Sequence, residues 1–293
     1  YQAVKRLKAA YGAVSLTTLC GLFGKTRQSY YGHLIEATQA SLNEEIIIKW
    51  VMQQRAEIGR VGGKKLFHKF QLSAEMAGIK MGRDAFLTLL QTHDLVLRPK
   101  RKYAVTTHSR HWLHKYKDLI KGLIINTPEQ LWVSDITYLR TQNGFCYLSL
   151  ITDAYSRKIV GYQLAQTLEA KHCMAALEKA ITQRCYPDRT LIHHSDRGVQ
   201  YCCAGYVELL QNANIQISMT QDGSPYDNAI AERINGILKQ QFILDRTFDN
   251  YAQIEQVLPQ YIQAYNQLTP HGSCDYLTPE QAHQRQGLLK KRW

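Results

Sequence analysis

The 293-residue chain carries 36 Lys+Arg against 24 Asp+Glu, a net charge of +12, and is 45% hydrophobic. That length allows two or three domains, and the composition excludes a disordered or low-complexity chain. No apolar run reaches membrane-spanning length and no signal peptide is visible, so a membrane helix is excluded and the cytoplasm is the expected compartment. The chain opens on Tyr1 rather than Met, which leaves room for a short leader ahead of it.

The charge is segregated. Residues 1–126 hold 21 Lys+Arg and 8 Asp+Glu, whereas the remainder holds 15 and 16. A strongly basic half beside a neutral one points to a polyanion-binding module joined to a separate catalytic or folding module. Within residues 1–40, "VSLTTLCGLFGKTRQSYYGHL" gives a short helix, a turn at Gly24 and a second helix from near Thr26. Arg27 and Gln28 open that second helix, as a helix-turn-helix reader requires. A second helical unit, residues 41–97, starts with the amphipathic helix "NEEIIIKWVMQQRAEIG". A basic segment with Lys64 and Lys65 follows, then a helix that exposes Arg83 at its start, again suited to docking on DNA. Residues 98–126 read as a basic linker able to track phosphates, with Lys100, Arg101 and Lys102 foremost.

Seven cysteines, an odd number with no C-x-x-C, argue against a disulfide framework and a structural zinc site. His108, His111 and His114 lack cysteine or carboxylate partners at ligand spacing and fit the basic linker better than a metal site.

The pattern changes at Pro128. "EQLWVSDITYLR" alternates as a strand, "TQNG" turns, and two further strands cover Phe145–Asp153 and Lys158–Leu164. A helix from Glu169 to Cys185, the buried strand "TLIHHSD", the helix "AGYVELLQNANI" and the strand "QISMT" follow. The last element is "SPYDNAIAERINGILKQQF", with Ser224 as cap and Pro225 in the first turn. The order β-β-β-α-β-α-β-α predicts a mixed sheet with helices on its faces.

Three acids stand out. Asp135 sits inside an apolar strand, where a lone charge is costly. Asp196 ends the fourth strand, where α/β sheets build sites. Glu232 shares one stripe of the last helix with Asn228, Asn235 and Lys239, opposite Ile230, Ile234, Ile237 and Leu238. If these acids converge they repel one another unless cations sit among them, and divalent ions bridged by carboxylates make a phosphoryl-transfer centre. Asp153 competes as a ligand but suits the cap of the turn after the second strand. Of His193 and His194, one is expected in the core and the other near the site. Ser195 has no paired base, which argues against a serine nucleophile.

The segments "WVSDITYL", "DAYSRKIVGY", "HHSDRGVQY", "SMTQDGSPYDNAIAERINGILK" and "YNQLTPHGSCDYLTP" together resemble the transposases of the insertion-sequence-three family, in their second-reading-frame product. The N-terminal helical segments resemble that family too, so the likeness spans nearly the whole chain. It implies a ribonuclease-H-like core related to retroviral integrase: an α/β fold with a mixed five-stranded sheet flanked by helices, preceded by small all-α helix-turn-helix-type domains. The core would cover residues 127–248, with a C-terminal helical extension over 249–293. Asp135, Asp196 and Glu232 match the family's Asp-Asp-Glu triad, with 35 residues between the last two. The resemblance implies two Mg2+ ions held by the triad, with Mn2+ able to substitute. It also implies DNA cleavage and strand transfer at mobile-element ends. Lys239 would touch a phosphate, and Asn228 and Asn235 would contact DNA or orient Glu232. Thr269 stands where the family commonly has Arg, so no basic contact carries over there, and little weight falls on His271. Implied partners are double-stranded DNA (terminal inverted repeats and target), further copies of the chain as a homodimer or larger assembly, and an upstream-frame helix-turn-helix protein. That partner would also have to supply any coiled coil, since no heptad run is present here. The setting implied is the bacterial cytoplasm, at the nucleoid. Two alternatives stay open: a ribonuclease-H-like nuclease without joining activity, and a DNA-binding regulator with an inactive core.

Overall fold

The computed structural model describes residues 1–97, 113–221 and 229–290. Lys100, Arg101, Lys102, His108, His111, Asn228 and the helix start expected at Ser224 lie outside the described residues. Among the described residues no helix is long and apolar enough to cross a membrane.

The chain begins with α1 (Gln2–Ala10), α2 (Leu16–Gly21) and α3 (Arg27–Ile58). Ser15 caps α2 by accepting from the Thr18 amide, and Thr26 and Ser29 cap α3 reciprocally. Val4, Leu19, Cys20 and Tyr30 close a small core around this hairpin. The two helices expected on either side of residue 40 are one helix of 32 residues. No Gly or Pro interrupts residues 33–58, so nothing ends the helix between its two apolar stripes. Its second half supplies Ile47, Trp50, Val51 and Ile58 to a different core, shared with α4 (Gly63–Leu72) and α5 (Arg83–Thr92) through Leu66, Phe70, Phe86 and Leu90.

The sheet consists of β1 (Leu131–Thr141), β2 (Gly144–Asp153), β3 (Ile159–Ala165), β4 (Leu191–Ser195) and β5 (Ile215–Met219), in the order β3-β2-β1-β4-β5. β1, β2 and β3 are antiparallel neighbours, whereas β4 runs parallel to β1 and β5 parallel to β4. This is the expected ribonuclease-H-like arrangement. All of β4 is buried, as befits an internal parallel strand. Side chains alternate between two cores. Trp132 and Ile151 pack under α6 (Ala170–Thr182) and α8 (Ala204–Asn212), which is preceded by the short α7 (Val199–Cys202). Leu139, Leu148 and Leu150 pack under α9 (Ala229–Gln241) and α10 (Tyr251–Leu268). Ile254, Leu258 and Ile262 of α10 thus share the core of the sheet. α11 (Pro279–His283) follows, capped by Thr278.

Two junctions tie distant segments together. The Arg60 amide donates to the Gln241 carbonyl at 2.6 Å, and Gln241 Nε2 donates to the Ile58 carbonyl at 2.8 Å and to Thr269 Oγ1 at 3.0 Å. The end of α3 is thereby fixed to the end of α9. The second junction was not foreseen. Glu129, read as part of the first strand, precedes it with φ of 57° and is buried. Its carboxylate accepts from the amides of Cys185 (2.6 Å) and Tyr186 (3.0 Å) and from Arg184 Nε (3.3 Å), with His283 Nε2 at 3.5 Å. Cys185 Sγ lies within ligand spacing of Glu129 and His283, but the Glu129 oxygens already serve Arg184 and two amides. Asp153 caps its turn, accepting from the Ser156 amide and hydroxyl at 2.8 and 2.7 Å, and also accepts from the Glu129 amide. His283 Nδ1 lies 3.8 Å from Asp153 Oδ1.

These contacts make a pH-dependent lock. Burial pushes the Glu129 carboxyl up, but His283, the two amides and Arg184 outweigh it and hold the group at about 2. Burial pushes His283 down, and Asp153 and Glu129 outweigh it, so its value is raised. The stabilisation from Glu129 is present above the ordinary carboxylate value and is lost as pH falls toward 2. That from His283 is full below its ordinary value of about 6.5 and is lost as pH climbs through the raised value. His283→Leu leaves two buried carboxylates short of their cation and should cost about 3 kcal/mol at pH 6. Urea midpoints at pH 6 and pH 9 check this: the gap between wild type and variant should shrink at the higher pH, and an equal gap at both would sink the ion-pair account.

Candidate active site

Alternation along β1 sets the first acid. Val133 and Leu139 face the α9 side, in clusters that include Ala231 and Ile234 respectively, so Asp135 between them faces α9 as well. Register sets the second. Val133 pairs with His194 across the parallel β1–β4 ladder, so Asp196, two residues on, emerges beside Asp135. Asp196 Oδ1 accepts from the Gly198 amide at 2.9 Å, which turns the chain into α7. Helix periodicity sets the third. The apolar residues Ile234, Ile237 and Leu238 are buried against the sheet, leaving Glu232 exposed in the first turn of α9.

Asp135 registers the convergence. Burial, then Asp196, then Glu232 push its carboxyl up to about 7, against the opposing hydrogen bonds from the Ile136 amide and Asn235. Asn235 Nδ2 donates to Asp135 Oδ2 at 2.6 Å, and Asn235 is only 7% exposed. This corrects the DNA contact expected of Asn235: the amide holds the first carboxylate. Among the described residues its own Oδ1 is buried without a hydrogen-bond partner. Lys239 lies two turns beyond Glu232; burial lowers its value while Asp135 and Asp245 act to raise it, so the ammonium is within electrostatic reach of Asp135.

The acids do not form a tight single-ion cage. Among the described residues, only Glu129, Cys185 and His283 bring three ligand atoms within 4.8 Å of one another. A two-ion site is wider, with ions roughly 3.5–4 Å apart, and an exposed Glu232 suits it. The donor set fits Mg2+ or Mn2+: all carboxylate oxygen, mutually repelling, and relieved of that repulsion by a cation.

The two histidines do not join this site as acid–base groups. His193 is buried on the opposite face of the sheet, its Nε2 2.6 Å from Ser134 Oγ and 2.9 Å from the Tyr206 hydroxyl. Burial, with His194, pushes it down to about 3 and keeps it neutral. His194 is buried too, with Nδ1 2.8 Å from Ser218 Oγ. His193 thus lies in the core, whereas His194, paired in register with Val133, is on the sheet face that carries Asp135 and Asp196. Arg27, Gln28 and Lys64 are exposed on the N-terminal helices. Arg83 is exposed and paired with Asp84 at 3.0 Å. Lys65 is half-buried, and burial together with Arg233 pushes it down to about 8. Thr269 is buried, accepting from Gln241, and His271 Nδ1 lies 2.9 Å from Ser273 Oγ.

Residues 126–225 match the integrase core domain family, and residues 213–279 match a second integrase core domain family. The chain is 32% identical over 267 residues to the insertion element IS600 uncharacterized 31 kDa protein of Shigella sonnei, covering 89% of this chain and 96% of that one. It is 34% identical to the transposase InsF for insertion sequence IS3A of Escherichia coli K12, covering 66% of this chain and 67% of that one. The chain belongs to the insertion-element transposase family. The catalytic core domain of HTLV-2 integrase, solved in complex with magnesium, is 18% identical, covers 54% of this chain and 97% of that one, and superposes with a TM-score of 0.42. As a family member, this transposase chain carries an integrase-type core of the polynucleotidyl-transferase class.

Two residues of α9, one at the site and one beside it, were visible in the sequence but misread or left unassigned. Asn235 stood on the stripe with Glu232, and its spacing of one turn was the signal that both face β1. Arg233 lay off that stripe, and its neighbours belong to a segment more than a hundred residues away.

Proposed function

We propose that this transposase cuts double-stranded DNA at mobile-element ends and joins the freed strand to target DNA through Asp135, Asp196 and Glu232. The observation that carries the reading is the convergence of three acids, from β1, from the residue that follows β4 and from α9, set by the strand register and felt at Asp135. These residues would hold two Mg2+ ions, with Mn2+ able to substitute; when bound, the metal supplies Lewis-acid activation of the attacking hydroxyl and charge stabilisation at the leaving oxygen. The protein's own part is positional. Asn235 fixes Asp135, the Gly198 amide fixes Asp196, and the buried isoleucine face of α9 sets the height of Glu232 over the sheet. Lys239 offers a point charge to the phosphate beside Asp135.

The N-terminal units, residues 1–40 and 41–97, dock on the element's terminal repeats through Arg27, Gln28, Lys64, Lys65 and Arg83, with residues 98–126 tracking phosphates. The core over 127–248 and the extension over 249–293 act as a homodimer or larger assembly on DNA, one site per element end. An upstream-frame partner and work at the bacterial nucleoid, in the cytoplasm, belong to the same reading. Incubation of the full chain with an element-end duplex and a target duplex tests it. Mg2+-dependent nicking followed by joined product supports the reading; nicking alone favours a nuclease, and binding without either favours a regulator.

A further inference from the structure

A cavity of about 350 Å3 opens between the start of α4 and a side of α9 other than the carboxylate stripe. Arg60, Lys64 and Lys65 line it from the N-terminal unit, and Arg233 and Asp245 line it from the core. The cavity therefore collects four cations and one acid. Among the described residues none of the four cations is in an ion pair. They crowd one another: burial and the Arg233 charge both weaken the hold of Lys65 on its proton. Burial, then Lys65, Arg157 and Arg233, keep His271 neutral, and among the described residues its buried Nε2 has no hydrogen-bond partner. Gly62 and Gly63 line the same cavity, and α4 starts there without a side-chain cap, so its first amides look outside the helix for acceptors.

A cluster of this kind is repulsive when empty and cohesive when an anion sits in it. The number of charges, the planar guanidinium of Arg233 and the helix start all suit a tetrahedral phosphate oxyanion. The two sides of the cavity belong to different units, so a bound phosphate would hold the N-terminal helices and α9 together. Glu232 is the residue next to Arg233 on α9. Resting on the strand-transfer reading above, we propose that this cavity seats one backbone phosphate of the docked DNA and that its occupation pins α9, and with it Glu232, to the bound duplex.

The test uses the full chain, an element-end duplex and the variants Arg233→Gln and Lys65→Gln. Each variant should bind the duplex roughly three- to tenfold more weakly and lower the slope of log affinity against log salt by about one. The double variant should lose little more than either single one. A duplex neutralised at one phosphate by methylphosphonate should reproduce the loss on wild type and add nothing on Arg233→Gln. Melting curves keep the variants interpretable: removal of a crowded cation should leave the melting temperature unchanged or higher, and if Arg233→Gln does not fold, Lys65→Gln carries the test. Inorganic phosphate separates the sources. If it stabilises wild type but not the variants, while the salt slopes stay equal, the cavity takes a free anion and the proposal is overturned. Equal slopes with no phosphate effect overturn it too. Failure of wild type to bind any duplex counts against the strand-transfer reading itself.

Discussion

Asp135→Asn is expected to lower strand joining at least about a thousandfold, equivalent to about 4 kcal/mol of transition-state stabilisation, and at the same time to make the chelator-treated protein more stable at pH 8. Both effects come from one carboxyl. Its value in the folded chain is about 7 against an ordinary 3.8, raised by burial, Asp196 and Glu232. Below about pH 3 the group is neutral in both folded and unfolded chains and costs nothing. Between pH 4 and 7 the unfolded chain ionises while the folded one resists, so stability falls by about 1.4 kcal/mol per pH unit and levels off above pH 7, a total of about 4 kcal/mol. Asparagine keeps an oxygen for the Asn235 donor and removes the charge. Melting in chelator should therefore match wild type near pH 4 and exceed it by up to about 10 °C at pH 8. Mg2+ should raise the wild-type curve at pH 8 and leave the variant's almost unmoved. Equal melting at both pH values, with Mg2+ acting equally on both proteins, would remove the case for Asp135 as a crowded metal ligand. Loss of joining with duplex binding retained would separate chemistry from docking.

The three acids proposed as the triad stood out in the sequence, Asp135 because it breaks a local rule and the other two by their positions. An aspartate inside "WVSDITYL" has no reason to be in a half-buried strand unless something compensates its charge. Asp196 sat at a strand end where such sites form, and Glu232 lay on a helical stripe with other polar groups. The sheet was legible from alternation and from the all-buried pattern of "LIHHS". What stayed hidden depends on contacts between segments far apart in sequence. The α3 helix reads as two because its apolar stripe lapses near residue 40, yet no breaker sits there, and the backbone continues for 32 residues. Glu129 reads as strand because its neighbours alternate; its positive φ and its pairing with His283 follow from the packing of α11, more than 140 residues later. Asn235 reads as a surface amide, and only the distance to β1 assigns it to Asp135. The cation-lined cavity has no local signature, since Lys65 and Arg233 meet only in the folded chain.

Gly59→Ala is expected to detach the N-terminal unit from the core without touching Asp135, Asp196 or Glu232. Gly59 ends α3 with φ of 69° and ψ of −153°, a conformation open essentially to glycine alone. A Cβ placed there would run into the Gln241 carbonyl oxygen, closer than the 3.0 Å that real Cβ atoms keep. The obstacle is backbone, so no side-chain rotation relieves it. The junction must open, and the two hydrogen bonds across it, from the Arg60 amide and from Gln241 Nε2, are lost with it. Strain, overlap and broken hydrogen bonds together amount to about 3–5 kcal/mol. The cores on the two sides are separate, one built on Trp50, Phe70 and Phe86, the other on Leu148, Ile234 and Leu258, so each can stay folded when the joint fails. The variant should melt in two steps where wild type melts in one, and limited proteolysis should cut near residue 60. On the proposed function, strand joining should fall with it, because the unit proposed to dock on DNA is no longer fixed to the helix that carries Glu232. Gly32→Ala is the control: it lies in the same helix with nothing within 4 Å of its would-be Cβ, and should stabilise by about 1 kcal/mol. If Gly59→Ala and Gly32→Ala behave alike, the rigid joint between α3 and α9 does not exist in solution, and the N-terminal unit cannot position the active site through it.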